Sequence, residues 1–337
     1  MRRLLSLLLL SPLALAAQET LDIYWVDVEG GAATLLVTPG GETVLMDAGW
    51  SGFEDRDAER IVKALEDAGK SKIDYFLTSH FHRDHVGGLP ALAERVEIGK
   101  FVDHGDSVEI GWNENADKLW TDYKAASEGK RMQVGPGDTL PLEGVDFQFV
   151  AARSQFVDEP LKPAEANPLC DDLTKKDVDK GENGKSVGFI VRRGDFEFLD
   201  LGDLSWNYEL ELACPKNLLG EIDLYQVTHH GMDMSGAPPH VRALKPQVAV
   251  MNNGPTKGGT AVTYETLTAI PELKDLWQVH KAMHAPDSPN TDEQMIANLK
   301  STEECDGNWI KASVQPDGSF TVTNSRNGYS KSYQPRP

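Results

Sequence analysis

Cysteine is scarce, with three in 337 residues, and that excludes a disulfide-rich scaffold. Positive charge is also short: 33 Lys and Arg face 53 Asp and Glu, for a net charge of −20. Such an acidic chain repels a polyanion, so broad nucleic-acid binding is not expected. Beyond the N-terminus no apolar run reaches the roughly 18 residues that a membrane-spanning helix needs. No internal repeat and no linker divides the chain. With 40% hydrophobic and 26% charged residues, the composition is that of a globular protein rather than a disordered one.

The first residues read as a targeting segment. Arg2 and Arg3 precede an apolar stretch from Leu4 to Leu15, too short to cross a bilayer, followed by the small-residue sites Ala14-Leu15-Ala16 and Leu15-Ala16-Ala17. This is the pattern of a cleaved secretory signal over residues 1–17. It leaves residues 18–337 as one domain, exported to the periplasm or medium and with no membrane association after cleavage. Loss of the two arginines takes the net charge to −22. Export permits a disulfide. Cys170, Cys214 and Cys305 allow three pairings, among which sequence does not choose; the pairing carried forward is Cys170–Cys214.

Strands are expected at Leu21–Val28, Ala33–Val37, Thr43–Met46, Ile73–Leu77, Ile98–Val102 and Val145–Ala151. Others follow at Val187–Val191, Phe196–Leu201, Ile222–Thr228, Val248–Met251, Trp309–Val314 and Phe320–Thr323. An amphipathic helix near Asp57–Ala68 places Ile61, Val62 and Leu65 on one face and stops at Gly69. Strands and helices interleave throughout, which favours one layered α/β domain. Residues 155–185 differ, mixing eight acids, five lysines and three prolines. A loop this long is usually functional or mobile. Its ends, Arg153 and Asn183, fall on the same side as Asp203, so it reads as a lid or substrate wall.

The chemistry is concentrated after the strand Ile73–Leu77. There Ser79-His80-Phe81-His82-Arg83-Asp84-His85-Val86-Gly87-Gly88 packs three histidines and an aspartate into six residues, a pattern that chance rarely produces. In extended backbone, residues i and i+2 point the same way, so His80 and His82 can share one metal. The following turn swings Asp84 and His85 toward a second. Imidazole and carboxylate suit Zn²⁺.

This loop resembles the signature of the metallo-β-lactamase superfamily, and other elements of that family follow in order. Asp47, in Leu45-Met46-Asp47-Ala48-Gly49, is similar to the acid that buttresses the metal loop. Asp203, in Leu201-Gly202-Asp203, matches the bridging carboxylate. His230, in Thr228-His229-His230-Gly231, matches the last histidine ligand. Asn183-Gly184-Lys185-Ser186 and Leu244-Lys245-Pro246-Gln247-Val248-Ala249-Val250 resemble the branch that contains the C-terminal domain of the competence protein ComEC.

The resemblance implies a four-layer αββα sandwich with the metals at one edge, and hydrolysis at a dinuclear Zn²⁺ site. His80 and His82 are then implied for the first metal, Asp84, His85 and His230 for the second, and Asp203 for the bridge. Asp84 would also orient the attacking water. One departure stands out. The strand end where many members place a third histidine reads Ala152-Arg153-Ser154, so the first metal is expected to be the weaker. His104 is left as a substrate-side residue, a supporting residue or a metal ligand. His229 is read as a supporting residue, with the alternative that it rather than His230 is the ligand, Arg153 and Lys257 as partners for an anionic substrate group, and His240, His280 and His284 as structural or surface residues. The expected substrate is a small phosphodiester, carboxylic ester or lactone. A secreted nuclease, a mononuclear iron oxygenase and a degenerate metal-binding scaffold are the alternatives.

Overall fold

A computed structural model describes residues 20–171, 173–300 and 304–336; the targeting segment expected over residues 1–17 lies outside the described residues. In chain order the strands are β1 (Leu21–Trp25), β2 (Thr34–Val37), β3 (Thr43–Met46), β4 (Lys72–Leu77), β5 (Glu97–Asp103), β6 (Arg131–Gln133), β7 (Thr139–Leu140), β8 (Asp146–Ala152), β9 (Gln155–Phe156), β10 (Gly188–Arg193), β11 (Phe196–Asp200), β12 (Leu224–Gln226), β13 (Val248–Met251), β14 (Asp275–His280), β15 (Ile296–Asn298), β16 (Ile310–Val314), β17 (Phe320–Asn324) and β18 (Ser330–Tyr333). The helices are α1 (Arg56–Asp67), α2 (Arg83–Val86), α3 (Leu89–Ala93), α4 (Glu114–Ala126), α5 (Trp206–Ala213), α6 (Pro238–Leu244) and α7 (Ala261–Thr268).

Alternation along the strands explains the layers, because successive side chains leave a strand on opposite faces. On β1, Leu21, Ile23 and Trp25 enter a core shared with Phe147, Phe149, Phe189, Phe198, Val248 and Trp277 of the opposing sheet. Tyr24 turns the other way, into a second apolar layer with Ile61 and Leu65 of α1, Leu89 and Leu92 of α3, and Trp120 and Tyr123 of α4. A third layer joins Ile190, Leu199, Tyr225 and Ala249 to Leu212 of α5, Val241 of α6 and Leu267 of α7. Three apolar layers between four structural layers make an αββα sandwich.

One sheet runs β18-β17-β16-β1-β2-β3-β4-β5-β6, the other β15-β14-β13-β12-β11-β10-β8-β7, with β9 paired to β8. Strands β3 to β6 pair in parallel, as do β11 to β15. The chain leaves these strands at one edge of the sandwich, just where Asp47, Ser79, His104, Asp203, His229 and His280 lie in sequence. Ligands of α/β sheets gather outside such carboxyl ends. A buried polar tie spans the sheets beneath this edge, with Trp25 Nε1 and Thr34 Oγ1 donating to Gln226 Oε1 at 2.6 and 2.8 Å.

Two expectations are revised. Strands β14 and β15 were not apparent in sequence, yet β14 brings His280 to the metal edge as a fully buried residue. Residues 155–185 are a strap rather than a free lid. After β9 the segment runs to the far side, where Leu161 N donates to Leu218 O and Ala166 bridges Lys216. It then returns along α5, held by a Cys170–Cys214 disulfide, by Trp206 Nε1 donating to Thr174 O, and by Ser205 Oγ donating to Asp179 Oδ2. Only its returning end, which reaches Asp233 from Lys176 and His104 from Glu182, borders the metal edge. No helix among the described residues is long and apolar enough to cross a membrane.

Candidate metal centre

The loop after β4 is placed by close backbone packing. A Cβ on Gly88 would lie 2.1 Å from Ala48 O, so only glycine lets the motif loop press against the end of β3. That contact seats Asp47 beneath His85. Asp47 adopts a left-handed φ of 65°, a strained conformation for a residue with a side chain, of the kind held at functional sites. Its carboxylate accepts from Ser79 N at 2.8 Å, Ser79 Oγ at 2.6 Å and His85 Nδ1 at 2.7 Å. With Nδ1 turned to Asp47, Nε2 is the nitrogen that faces the centre of the site, as in metal-ligating histidines.

His85 Nε2 lies 3.2 Å from Asp203 Oδ2, 3.3 Å from Asp84 Oδ2 and 3.3 Å from His230 Nε2. Donor atoms of Asp84, His85, Asp203 and His230 all fall within 4.8 Å of one another, and all four residues are buried. Beside them, His80 Nε2 and His82 Nδ1 converge at 3.0 Å, and His80 Nε2 is 4.0 Å from Asp203 Oδ2. Asp203 thus stands between two donor sets. The unlike ring nitrogens follow from the loop: His80 is buried against Ser79, whereas His82 is half-exposed and turns its other nitrogen to Glu109 Oε1 at 3.2 Å.

The charge states suit cations. Burial would raise the Asp203 carboxyl, but the imidazoles of His229, His230 and His85 outweigh it and hold the group well below the usual carboxylate range. Asp84 behaves alike under His85, His230 and Lys257. Burial, reinforced by His85 and His82, keeps His80 neutral. Two ionised carboxylates and four imidazoles in one buried cluster fit divalent cations that take nitrogen and oxygen.

Other expected residues are placed differently. His104 is fully buried and meets Glu182 Oε2 through Nε2 at 3.0 Å. Glu182 also accepts from Phe81 N, Ser107 Oγ and Val108 N, so this pair braces the metal loop from behind. His229 stands beside His230: Nε2 reaches Asp203 Oδ2 at 3.3 Å, and Nδ1 meets Ser235 Oγ at 3.0 Å. His229 and His230 share left-handed φ values of 58° and 55°, and both rings reach Asp203 Oδ2, each at 3.3 Å. Arg153 is exposed and donates to Asp106 O at 3.1 Å. Lys257 donates to Asp84 Oδ2 and, at 2.9 Å, to Gly30 O. His240 is buried, and His284 Nε2 contacts Gly258 O.

Glu109 and Glu182 were missed by sequence reasoning. Glu109 sits in an ordinary charged loop, while Glu182 carries a faint signal as the residue just before Asn183-Gly184-Lys185-Ser186. The Asn183 side chain is also of note, since its Oδ1 is buried without a hydrogen-bond partner.

Comparison with known proteins agrees with this geometry. Residues 26–154 match the family model described as the metallo-beta-lactamase superfamily. A metal-dependent hydrolase of the UPF0173 group from Anaeromyxobacter sp. (strain K) is 34% identical over 260 residues, covering 75% of this chain and 82% of that protein. The chain belongs to the metallo-β-lactamase superfamily. Within it, the competence protein ComA of Neisseria gonorrhoeae is 25% identical over 227 residues, which are 67% of this chain but 26% of ComA; the chain spans about a quarter of that relative's length. Among solved structures, a metallo-beta-lactamase HARLDQ-motif mutant from Cronobacter sakazakii is similar at a TM-score of 0.38 and 16% identity, covering 60% of this chain and 75% of that one. The buried His/Asp cluster is a candidate metal-binding group at the site the superfamily assignment points to.

Proposed function

We propose that this protein is an exported, zinc-dependent hydrolase of a small carboxylic ester, lactone or phosphodiester. The observation that carries the reading is the convergence of two donor sets on Asp203: His80 with His82 on one side, and Asp84, His85 and His230 on the other. Zinc pairs held there would lower the pKa of water to about 7 and offset charge developing on the scissile group. The protein's own contribution is orientation. Asp47 fixes the His85 tautomer, His229 steadies Asp203, Lys257 holds Asp84, and Glu182 with His104 supports the loop backbone at Phe81.

The surroundings support a small substrate with an apolar part. Ile110, Trp112, Val178 and Met234 are exposed, and each lies on a segment that borders the histidines: Ile110 and Trp112 just after Glu109, Val178 in the returning strap, and Met234 four residues after His230. Four cations near this edge, Arg83, Arg153, Lys185 and Lys257, already donate to protein oxygens, so they do not form a track for a long polyanion. The Cys170–Cys214 disulfide supports export, because structural disulfides persist in oxidising compartments.

The decisive experiment is metal quantification followed by a panel of bis-p-nitrophenyl phosphate, a lactone, a thioester and a chromogenic cephalosporin. Hydrolysis of at least one is expected, with about two zinc bound at this centre. His82→Ala should lose the first metal and all measurable turnover, whereas Asp84→Ala should keep most of the first metal and still lose turnover. Inactivity across the panel at full metal occupancy would favour a binding scaffold, and metal-dependent O₂ consumption an oxygenase.

A further inference from the structure

A second cluster of metal-binding side chains lies apart from the hydrolytic centre. Asp27 and Glu29 follow β1, His280 ends β14, and Cys305 precedes β16. One donor atom from each lies within 4.8 Å of all the others. Asp27 and His280 are fully buried, and Cys305 is partly so.

Proximity of acids and a thiol does not make a site, but His280 adds an independent observation. Its Nδ1 faces Lys281 O at 2.9 Å. A carbonyl can only accept, so Nδ1 carries the proton. Nε2 is buried, has no hydrogen-bond partner, and points to Glu29 Oε2 at 3.9 Å. A neutral imidazole would therefore aim a lone pair at a carboxylate, an arrangement relieved by a cation between them. A backbone carbonyl on the other nitrogen is also the usual support of a metal-ligating histidine.

The thiol completes the set. Cys305 Sγ donates to Asp27 Oδ2 at 3.0 Å, and a metal bridging sulfur and oxygen would take the place of that proton. Arg60 stays compatible as a support: Nη1 donates to Asp27 Oδ2 at 3.0 Å and Glu29 Oε1 at 3.1 Å, and Nη2 to Cys305 O at 3.2 Å. A divalent cation bound between these groups would send the thiol proton to solvent.

We propose that Asp27, Glu29, His280 and Cys305 form a second, structural site for a thiophilic divalent cation such as Zn²⁺. A thiolate–imidazole–carboxylate set of four suits this ion. The site would tie the ends of β14 and of the segment before β16 to the β1–β2 loop, whose Gly30 carbonyl holds Lys257 against Asp84. It would thus steady one wall of the hydrolytic centre without taking part in the reaction.

Cobalt substitution tests this directly. Cys170 and Cys214 are joined in a disulfide, and no cysteine stands in the hydrolytic centre, so a thiolate-to-cobalt charge-transfer band in the near ultraviolet can arise only from Cys305. The full chain loaded with Co²⁺ should show that band. His82→Ala should keep it, and Cys305→Ser should lose it together with one equivalent of metal. In the wild-type protein, Zn²⁺ should slow labelling of Cys305 by a thiol reagent at least tenfold. These wild-type readouts decide the matter even if Cys305→Ser fails to fold, and His280→Gln provides a second variant. Absence of the band, a band that survives in Cys305→Ser, or labelling indifferent to Zn²⁺ would overturn the proposal and leave His280 as the imidazolium partner of Glu29.

Discussion

Asp47 shows how one side chain can govern a site it does not enter. It accepts three hydrogen bonds, from Ser79 N, Ser79 Oγ and His85 Nδ1, and so sets both the path of the metal loop and the tautomer of a ligand. Loss of such a support commonly weakens metal binding about 10–100-fold. Asp47→Ala is therefore expected to bind its metals that much more weakly in chelator competition while staying folded. An affinity equal to wild type would show that His85 is oriented by the backbone alone. The same scale explains what sequence could not show about His104. Its position at a strand end on the metal side was readable, but its partner, Glu182, lies 78 residues away. No local spacing encodes that pair.

At the scale of elements, α5 and the strap across it carry two further expectations. Glu209 on α5 is fully buried; Oε2 accepts from Ala237 N at 2.8 Å while Oε1 has no hydrogen-bond partner. Burial pushes its carboxyl up to about 7 from an ordinary 4.5. The unfolded chain thus loses this proton near pH 4.5, while the folded one keeps it until near 7. Stability from this group is fully present below the lower value and falls as pH rises through the window. At about 1.4 kcal/mol per pKa unit, the swing is on the order of 3 kcal/mol. Glu209→Gln should therefore be more stable than wild type at pH 8, with the difference vanishing at pH 4, as read from urea midpoints. An equal advantage at both pH values would sink this account. The disulfide that pins the strap closes a separation of 44 residues, for which loop entropy gives about 4 kcal/mol. The double variant Cys170→Ser, Cys214→Ser should lose up to that much in chemical denaturation yet retain its metals. Metal loss would mean that the strap positions Glu182 only while it is tied down.

For the whole molecule, the net charge of −20 is the dominant long-range property. Turnover of a small substrate should change little between low and high salt, and single-stranded DNA should be a poor substrate, because polyanion binding draws on clustered cations and declines steeply with salt. Rapid, salt-sensitive degradation of DNA or RNA that disappears in His82→Ala would establish the nuclease reading instead.

Much of this was written locally. The alternation in β1 and β2, the 3.6-residue period of α1 and the crowding of His80, His82, Asp84 and His85 each depend on neighbours within a few residues, so the layered architecture and the principal metal loop were legible from sequence. Asp47, Asp203 and His230 were read through the family resemblance of the short motifs that hold them, each within a few residues of a strand's end. Tertiary structure alone decided the rest. The strap was taken for a lid because composition reports solvation and not what a segment packs against. Strands β14 and β15 were hidden because β14 is held by pairing with β13, and β15 by pairing with β14, rather than by a local period. The brace between His104 and Glu182, the contact of His82 with Glu109, and the meeting of Asp27 and Glu29 with His280 and Cys305 join residues separated by tens to hundreds of positions. Hydrogen bonds and metal coordination act over about 3 Å, and only the folded chain brings such residues within that range.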